Sequence, residues 1–227
     1  MALPAIAPYH YTDNEHANRV TWPVDPSRAV LLVHDMQEHF VRAFERTDEQ
    51  GEPLENAQIN IAIANTRRLL DAAHAASIPV YYTAQPPRQD PADRRLLIDF
   101  WGDGMQDDEG AQILPAIAPE EGDTVLTKWR YSAFVRSDFE QRLKDSGRDQ
   151  LIIVGVYAHI GCLTTALEAF MRDIQPFMVA DGLADFSEEE HRMACEYASG
   201  RCARVLSTDE VLADIASFES AAESMEA

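Results

Sequence analysis

The chain is short of cysteine, of positive charge and of long apolar runs. Only three of its 227 residues are cysteine. Cys195 and Cys202 fall in one expected helix, EEEHRMACEYASGRCARV. Two helical turns hold them roughly 10 Å apart along the axis, too far for a disulfide. Three unpaired thiols fit a reducing cytoplasm, and their spacing does not suit zinc. Lys and Arg number 19 against 39 Asp and Glu, for a formal net charge of -20. So acidic a surface argues against non-specific binding to nucleic acid or anionic membranes. No run approaches the ~18 apolar residues of a membrane helix. The N-terminal MALPAIAPYHYTDNEH has neither a charged n-region nor a sustained apolar core, so no signal peptide is expected. No G-x-G-x-x-G follows the first apolar run and no P-loop occurs. TAQPPRQDP, after the second apolar run, holds no histidine. Neither a metal nor another cofactor is expected.

Apolar residues make up 46% of the chain, enough for a globular core. Residues 1–27 read as an irregular arm marked by Pro4, Pro8, Pro23 and Pro26. From there, apolar runs alternate with helical patterns. RAVLLVHDMQ opens on a strand from Ala29 to Val33, buried on both faces. Asn60 to Ala75 is helical through Ile61, Ile63, Leu69, Leu70 and Ala73. IPVYYTAQ is the second strand, and a third ends near Lys128. QLIIVGV, 150–156, is the fourth, followed by a helix from about Gly161 to Asp173. A fifth strand lies near Phe177 to Asp181. Ser187 and Glu190 form a capping-box pattern that opens another helix. ARVLSTDEVL supplies a short sixth strand and a last helix. The acidic tail, 216–227, is expected to fray, and DSG at 145–147 is expected in a loop. This order predicts one α/β domain over 28–215, a doubly wound, Rossmann-like parallel sheet of about six strands with helices on both faces.

Ligands in such sheets bind beyond the carboxyl ends of the strands. Asp35, Gln85, Lys128 and the segment Tyr157 to Gly161 all fall at those ends. Each has an ordinary alternative. Asp35 could be a turn or N-cap residue, or a general acid. Lys128 could be a surface lysine, or the partner with which Asp35 exchanges pKa shifts. Arg88, Arg94, Arg95 and Arg130 could be solvated charges, or a local anion site against a repulsive field. His159 reads as a structural hydrogen-bonder. The His34 side chain is expected on the opposite strand face from Asp35, in a packing role. Cys162 sits where a strand runs into a helix, a place where many hydrolases keep a nucleophile.

Together these residues make the chain resemble the isochorismatase family, within the wider cysteine-hydrolase superfamily. The resemblance runs from about Pro4 to Leu212. It is carried by RAVLLVHDMQEHF, YYTAQP, LLIDFWGDGM, LTKWRYSAF, GVYAHIGCLTT, DIQPFMVADGLADFS and EYASGRC. It points to stand-alone phenazine-pathway enzymes and to the isochorismatase part of siderophore enzymes. The latter commonly continue into a carrier domain, for which no room is expected beyond Ala227. The superfamily's amidases use an Asp–Lys–Cys triad whose cysteine lies six residues after the glycine ending strand four. Counting from Gly155 reaches Gly161. Cys162 is one step late and is turned ~100° around the helix, so a core position is expected for it.

The resemblance implies hydrolysis of the enolpyruvyl vinyl ether of isochorismate or 2-amino-2-deoxyisochorismate, releasing pyruvate. Asp35 would be the general acid, with Lys128 beside it. Gln85 would contact the ether or carboxylate, Arg94 would grip a carboxylate, and Tyr157 and Gly161 would offer backbone groups. A cis peptide is implied near Val156–Tyr157. Phe40, Phe100 and Trp101 are wall candidates. The implied partner is a small dicarboxylate substrate, with no nucleic acid or membrane, and the implied assembly is a homodimer, which apolar residues of the arm would support. A cysteine-dependent amidase using Cys162 and a non-catalytic partner-binding protein remain as alternatives.

Overall fold

The computed structural model describes the backbone of residues 3–13 and 15–226, and the side chains in that span other than those of 219 and 221–226. Six strands form one parallel sheet: β1 (Ala29–His34), β2 (Val80–Ala84), β3 (Thr124–Thr127), β4 (Gln150–Val156), β5 (Gln175–Ala184) and β6 (Arg204–Leu206). Their order is β3-β2-β1-β4-β5-β6. The chain therefore reverses direction across the sheet between β1 and β4, and a crevice opens beyond their carboxyl ends.

Strand periodicity sorts the apolar runs into two cores. In β1, Leu31 and Val33 enter one core while Val30 and Leu32 enter the other. In β4, Ile152 and Val154 oppose Leu151 and Ile153 in the same way. Because both faces are covered, both sets must be apolar, and every residue of β1 and β4 is buried. Helix α2 (Gln58–Ala75) and helix α8 (Thr208–Glu226) cover the first face through Leu69, Leu70, Val211 and Ile215. The second is covered by α5 (Phe139–Ser146), α6 (Leu163–Phe170) and α7 (Glu188–Arg201), through Phe139, Leu143, Ala166, Ala169, Ala194 and Ala198. Three short helices, α1 (Glu38–Val41), α3 (Pro91–Arg94) and α4 (Leu97–Trp101), belong to the loops above the crevice.

Several local expectations need correction. The inward face of α2 is Ile59, Ala62, Leu69, Leu70 and Ala73, with Ile61 and Ile63 only half-buried. The DSG segment is the end of α5, closed by Gly147 at φ +68°. That helix escaped notice because Phe139 and Leu143 are its only buried residues. β5 runs to Ala184, well past Asp181, because a register shift opposite Ile153 to Gly155 lets the chain absorb extra residues and resume pairing. The helix expected from Gly161 begins instead as a π-helical turn, Ala158–Cys162, and becomes α6 at Leu163. Ser187 caps α7, its hydroxyl accepting from the Glu190 N–H at 3.2 Å. In the tail, the backbone continues α8 to Glu226.

The arm is irregular but not loose. Ile6, Tyr11 and Val24 are buried in the domain's own cores. Ile6 exchanges backbone hydrogen bonds with Ala43 and Glu45. These three residues of the arm are thus used within the chain. No helix among the described residues is long and apolar enough to cross a membrane.

Candidate active site

Asp35 stands one residue beyond β1 at φ +50°, a left-handed conformation that Asp tolerates better than most residues. Its N–H donates to the Thr83 hydroxyl at 3.0 Å, and that hydroxyl donates to Asp35 Oδ1 at 2.5 Å. Lys128, just past β3, donates from Nζ to Asp35 Oδ2 at 2.6 Å. Asp35 and Lys128 are 5% and 3% exposed, so the ion pair is held in a nearly dry setting at the head of a cavity. Burial pushes the Asp35 carboxyl up, but Lys128, the neighbouring His34 and the bonds from Lys128 and Thr83 outweigh it and hold the group below its ordinary value. The resting site is an ionised pair.

The cavity opens beyond the carboxyl ends of the strands, where small-molecule sites of such sheets lie. Asp35, Lys128, Gln85, Arg94, Phe40, Trp101, Tyr157 and Gly161 all line it. The structure therefore brings these eight residues together, from segments over 120 residues apart. Gln85 is fixed by Gln37, whose amide donates to the Gln85 carbonyl at 2.9 Å and accepts from its N–H at 2.7 Å. Arg94 is only 4% exposed, and its Nε donates to the Gly102 carbonyl at 2.6 Å. No carboxylate pairs with it among the described residues, and burial lowers its pKa. A buried guanidinium without a counter-ion, facing a cavity, has free donors for a planar anion.

The other arginines are occupied elsewhere. Arg88 pairs with Asp108 at 2.5 Å, Arg95 bonds the Ala92 carbonyl and Arg130 bonds the Asp93 carbonyl. The anion-binding hint in the 88–95 loop reduces to Arg94.

The walls are largely apolar. Tyr157 follows a cis Val156–Tyr157 peptide, as the resemblance implies. Its ring lies 4.3 Å from that of Phe186, and its hydroxyl donates to the Phe40 carbonyl at 3.0 Å. Trp101 Nε1 donates to the Tyr131 hydroxyl at 2.8 Å, closing the rim. Phe100 is not a wall residue, since it is 68% exposed. In a helix as short as α4, Leu97 and Trp101 share the inward face at i and i+4 and turn Phe100 outward. Leu3, His39, Met105 and Tyr131 also line the cavity and were missed. So were the supports Thr83 and Gln37. Strand-end position alone could have suggested Thr83, in YYTAQP.

Cys162 is fully buried in the second core and does not line the cavity. Burial raises its thiol well above the ordinary value. It is a small core hydrophobe, as its offset from Gly161 predicts. His159 donates its N–H to Asp185 Oδ2 at 2.6 Å, and its Nδ1 lies 2.6 Å from Oδ1. Glu190 brings a third ligand atom within 4.8 Å of these. The Asp185 carboxylate, however, is saturated by His159 and Phe186, and Glu190 is engaged by Ser187. His34 is buried as expected, but not on the far face from Asp35, because φ +50° at Asp35 breaks the strand alternation. Its Nδ1 is 3.8 Å from Asp35 Oδ2 and 2.9 Å from the Val156 carbonyl.

Comparison with known proteins shows the family. The family model described as the isochorismatase domain matches residues 29–210. Enterobactin synthase component B of Escherichia coli (strain K12) is 50% identical over 215 residues, covering 93% of this chain and 73% of that protein. The isochorismatase of Bacillus subtilis (strain 168) is 51% identical over 215 residues, 93% of this chain and 66% of that protein. Phenazine biosynthesis protein PhzD of Pseudomonas fluorescens is 49% identical over 213 residues, 92% and 98% respectively. Among solved structures, a cysteine hydrolase from Pseudomonas syringae pv. phaseolicola 1448A superposes with a TM-score of 0.75 at 23% identity, over 88% of this chain and 97% of that one, which shows the fold.

Proposed function

The chain belongs to the isochorismatase family of hydrolases, and from that premise we propose that it cleaves the enolpyruvyl vinyl ether of isochorismate or 2-amino-2-deoxyisochorismate, releasing pyruvate. One observation carries the reading. A buried acid–cation pair, Asp35–Lys128, and an unpaired buried cation, Arg94, share one mostly apolar cavity that no thiol lines.

Hydrolysis of a vinyl ether needs a proton on carbon and then water. Asp35 gives its proton to the terminal methylene, which becomes a methyl group and leaves an oxocarbenium ion. Water adds to that ion and loses a proton, and the hemiketal so formed collapses to pyruvate and the ring alcohol. A positioned general acid contributes roughly 10²–10⁴-fold. Arg94 takes a substrate carboxylate bidentately, and Gln85 and Lys128 hold the ether or carboxylate oxygens. Gly161 lines the same cavity, while the N–H groups of Ile160 and Cys162 on either side of it are bonded to the Tyr157 carbonyl. Phe40, Tyr157 and Trp101 keep bulk water from the cation.

The same reading takes the protein to be a cytoplasmic homodimer whose partner is a small dicarboxylate, not a nucleic acid or a membrane. Three free, buried cysteines and the net charge of -20 support the compartment and the exclusions. The dimer rests on family likeness. The deciding experiment incubates the purified protein with each ring substrate and follows pyruvate with lactate dehydrogenase. Release from either supports the reading, and release from neither refutes it.

A further inference from the structure

We infer that His34 is a specificity-determining positioning residue: its imidazole occupies the space that any side chain at position 161 would need, and so keeps the cavity beside Asp35 and Lys128 free of an enzyme nucleophile. The inference deepens the ether-hydrolase reading and rests on it for its activity arm. A Cβ built on Gly161 would lie 2.2 Å from His34 Cε1, 2.9 Å from Nε2 and 3.0 Å from Nδ1. The obstacle is a ring, not the loose end of a flexible chain.

The ring cannot yield easily. His34 is fully buried, and its Nδ1 bonds the Val156 carbonyl at 2.9 Å. A carbonyl only accepts, so Nδ1 donates there, and Nε2 lies 3.4 Å from the Thr165 hydroxyl. The backbone is clamped as well. Gly155 pairs with His34 across the β1–β4 ladder, at φ +113°, and a Cβ there would strike the His34 carbonyl oxygen at 2.2 Å. Two glycines thus press on one histidine, Gly155 on its backbone and Gly161 on its ring. Burial, and then Lys128, hold the imidazole down to a pKa of about 4, so the ring is neutral at pH 7 and adds no charge to the pair.

The consequence is chemical. Position 161 lines the cavity within reach of the acid–cation pair, and a thiol or hydroxyl there could attack substrate. With His34 in place, residue 161 stays glycine and offers the substrate no thiol or hydroxyl. The absence of covalent chemistry is therefore set by two residues, not one.

A double-mutant cycle tests this on Gly161→Ala, His34→Ala and the combined variant. In the wild-type background, Gly161→Ala lowers Tm by roughly 2–12 °C, the range for overpacking in a domain of this size. It also lowers kcat for pyruvate release at least about tenfold while KM changes less than about threefold, because the displaced ring disturbs Asp35 and not Arg94. In the His34→Ala background, the same Gly161→Ala change shifts Tm by less than about 1 °C and costs no further kcat. Equal losses in both backgrounds, or a neutral Gly161→Ala in the wild type, overturn the inference. The melting cycle needs no substrate, so it stands or falls independently of the ether-hydrolase reading. A third variant guards against misfolding. His34→Ala with Gly161→Cys takes up one equivalent of iodoacetamide in the native state, whereas the wild type, whose three cysteines are buried, takes up none. No labelling of that variant, with its fold intact by circular dichroism, also counts against the idea.

Discussion

Replacing Asp35 with Asn removes the acid while keeping its shape, and two quantities should move together. The carboxylate is 5% exposed and bonded to Lys128 at 2.6 Å and Thr83 at 2.5 Å. Taking away one partner of a buried pair leaves the other uncompensated, at a cost of about 3–5 kcal/mol. For a chain of this size that lowers Tm by about 6–20 °C, within what a domain of ordinary stability survives at 25 °C. Turnover should fall by about 10²–10⁴, the usual contribution of a general acid. KM should hold, because Arg94 and Gln85 are untouched. The pH dependence separates this role from a packing role. Asp35 is held below its ordinary value in the folded chain, so its stabilisation is present above the unfolded value and is lost as pH falls through the folded one. Melting curves of the wild type and Asp35→Asn should therefore converge in acid and differ most near neutrality. Pyruvate release by Asp35→Asn within about threefold of wild type, in protein shown to be folded, would falsify the assignment of the acid.

Arg94→Met should raise KM by about 10–150-fold, the loss of a charged hydrogen-bonded contact of about 1.5–3 kcal/mol, and leave Tm unchanged or higher, since an unpaired buried cation disappears. A fall in Tm with unchanged KM would show that Arg94 is structural. Cys162→Ala should keep turnover within about twofold while lowering stability by about 1 kcal/mol, the typical effect of a core substitution; loss of activity would revive a thiol mechanism. His34 and His191 are buried with pKa values lowered to about 4 and about 3. Each contributes stability that is full above an unfolded value of about 6.5 and is lost as pH falls toward the folded one, at up to about 1.4 kcal/mol per pH unit per histidine. Chemical denaturation between pH 7 and pH 4 should show this fall, and a flat profile would contradict their neutral burial.

The sheet was legible because β1 and β4 are buried on both faces and so read as unbroken apolar runs. The site was legible because the doubly wound order dictates which strand ends converge, and Asp35, Gln85 and Lys128 stand at those ends. What failed lay where tertiary contacts decide. Helix α5 has only two buried residues and no long periodic signal. The extension of β5 depends on a register shift against β4, which no local pattern encodes. Phe100 and Leu97 are both apolar, and only the turn of α4 determines which faces inward. His34 was assigned to the wrong side because strand alternation was extended one residue too far, into an Asp at φ +50°.

An acid that rests ionised must acquire a proton when it is needed, and the geometry around Asp35 offers a route. Burial is the largest single influence and pushes the carboxylate up, but Lys128, His34 and Thr83 together outweigh it. A dicarboxylate entering the cavity brings negative charge beside that carboxylate, engages the ammonium and excludes water, and each of these changes favours the neutral acid. Two donors already reach the carboxylate, the Thr83 hydroxyl at 2.5 Å and Lys128 Nζ at 2.6 Å. In the proposed reaction, substrate charge thus tips Asp35 toward the neutral acid, and Lys128 and Arg94 balance the substrate carboxylates. On the proposed reading a small neutral molecule would not tip the pair, and the cavity would discriminate by charge as well as by shape. That discrimination is compatible with a surface of net charge -20 because it depends on two buried cations within one low-dielectric cavity, where far-off carboxylates are screened.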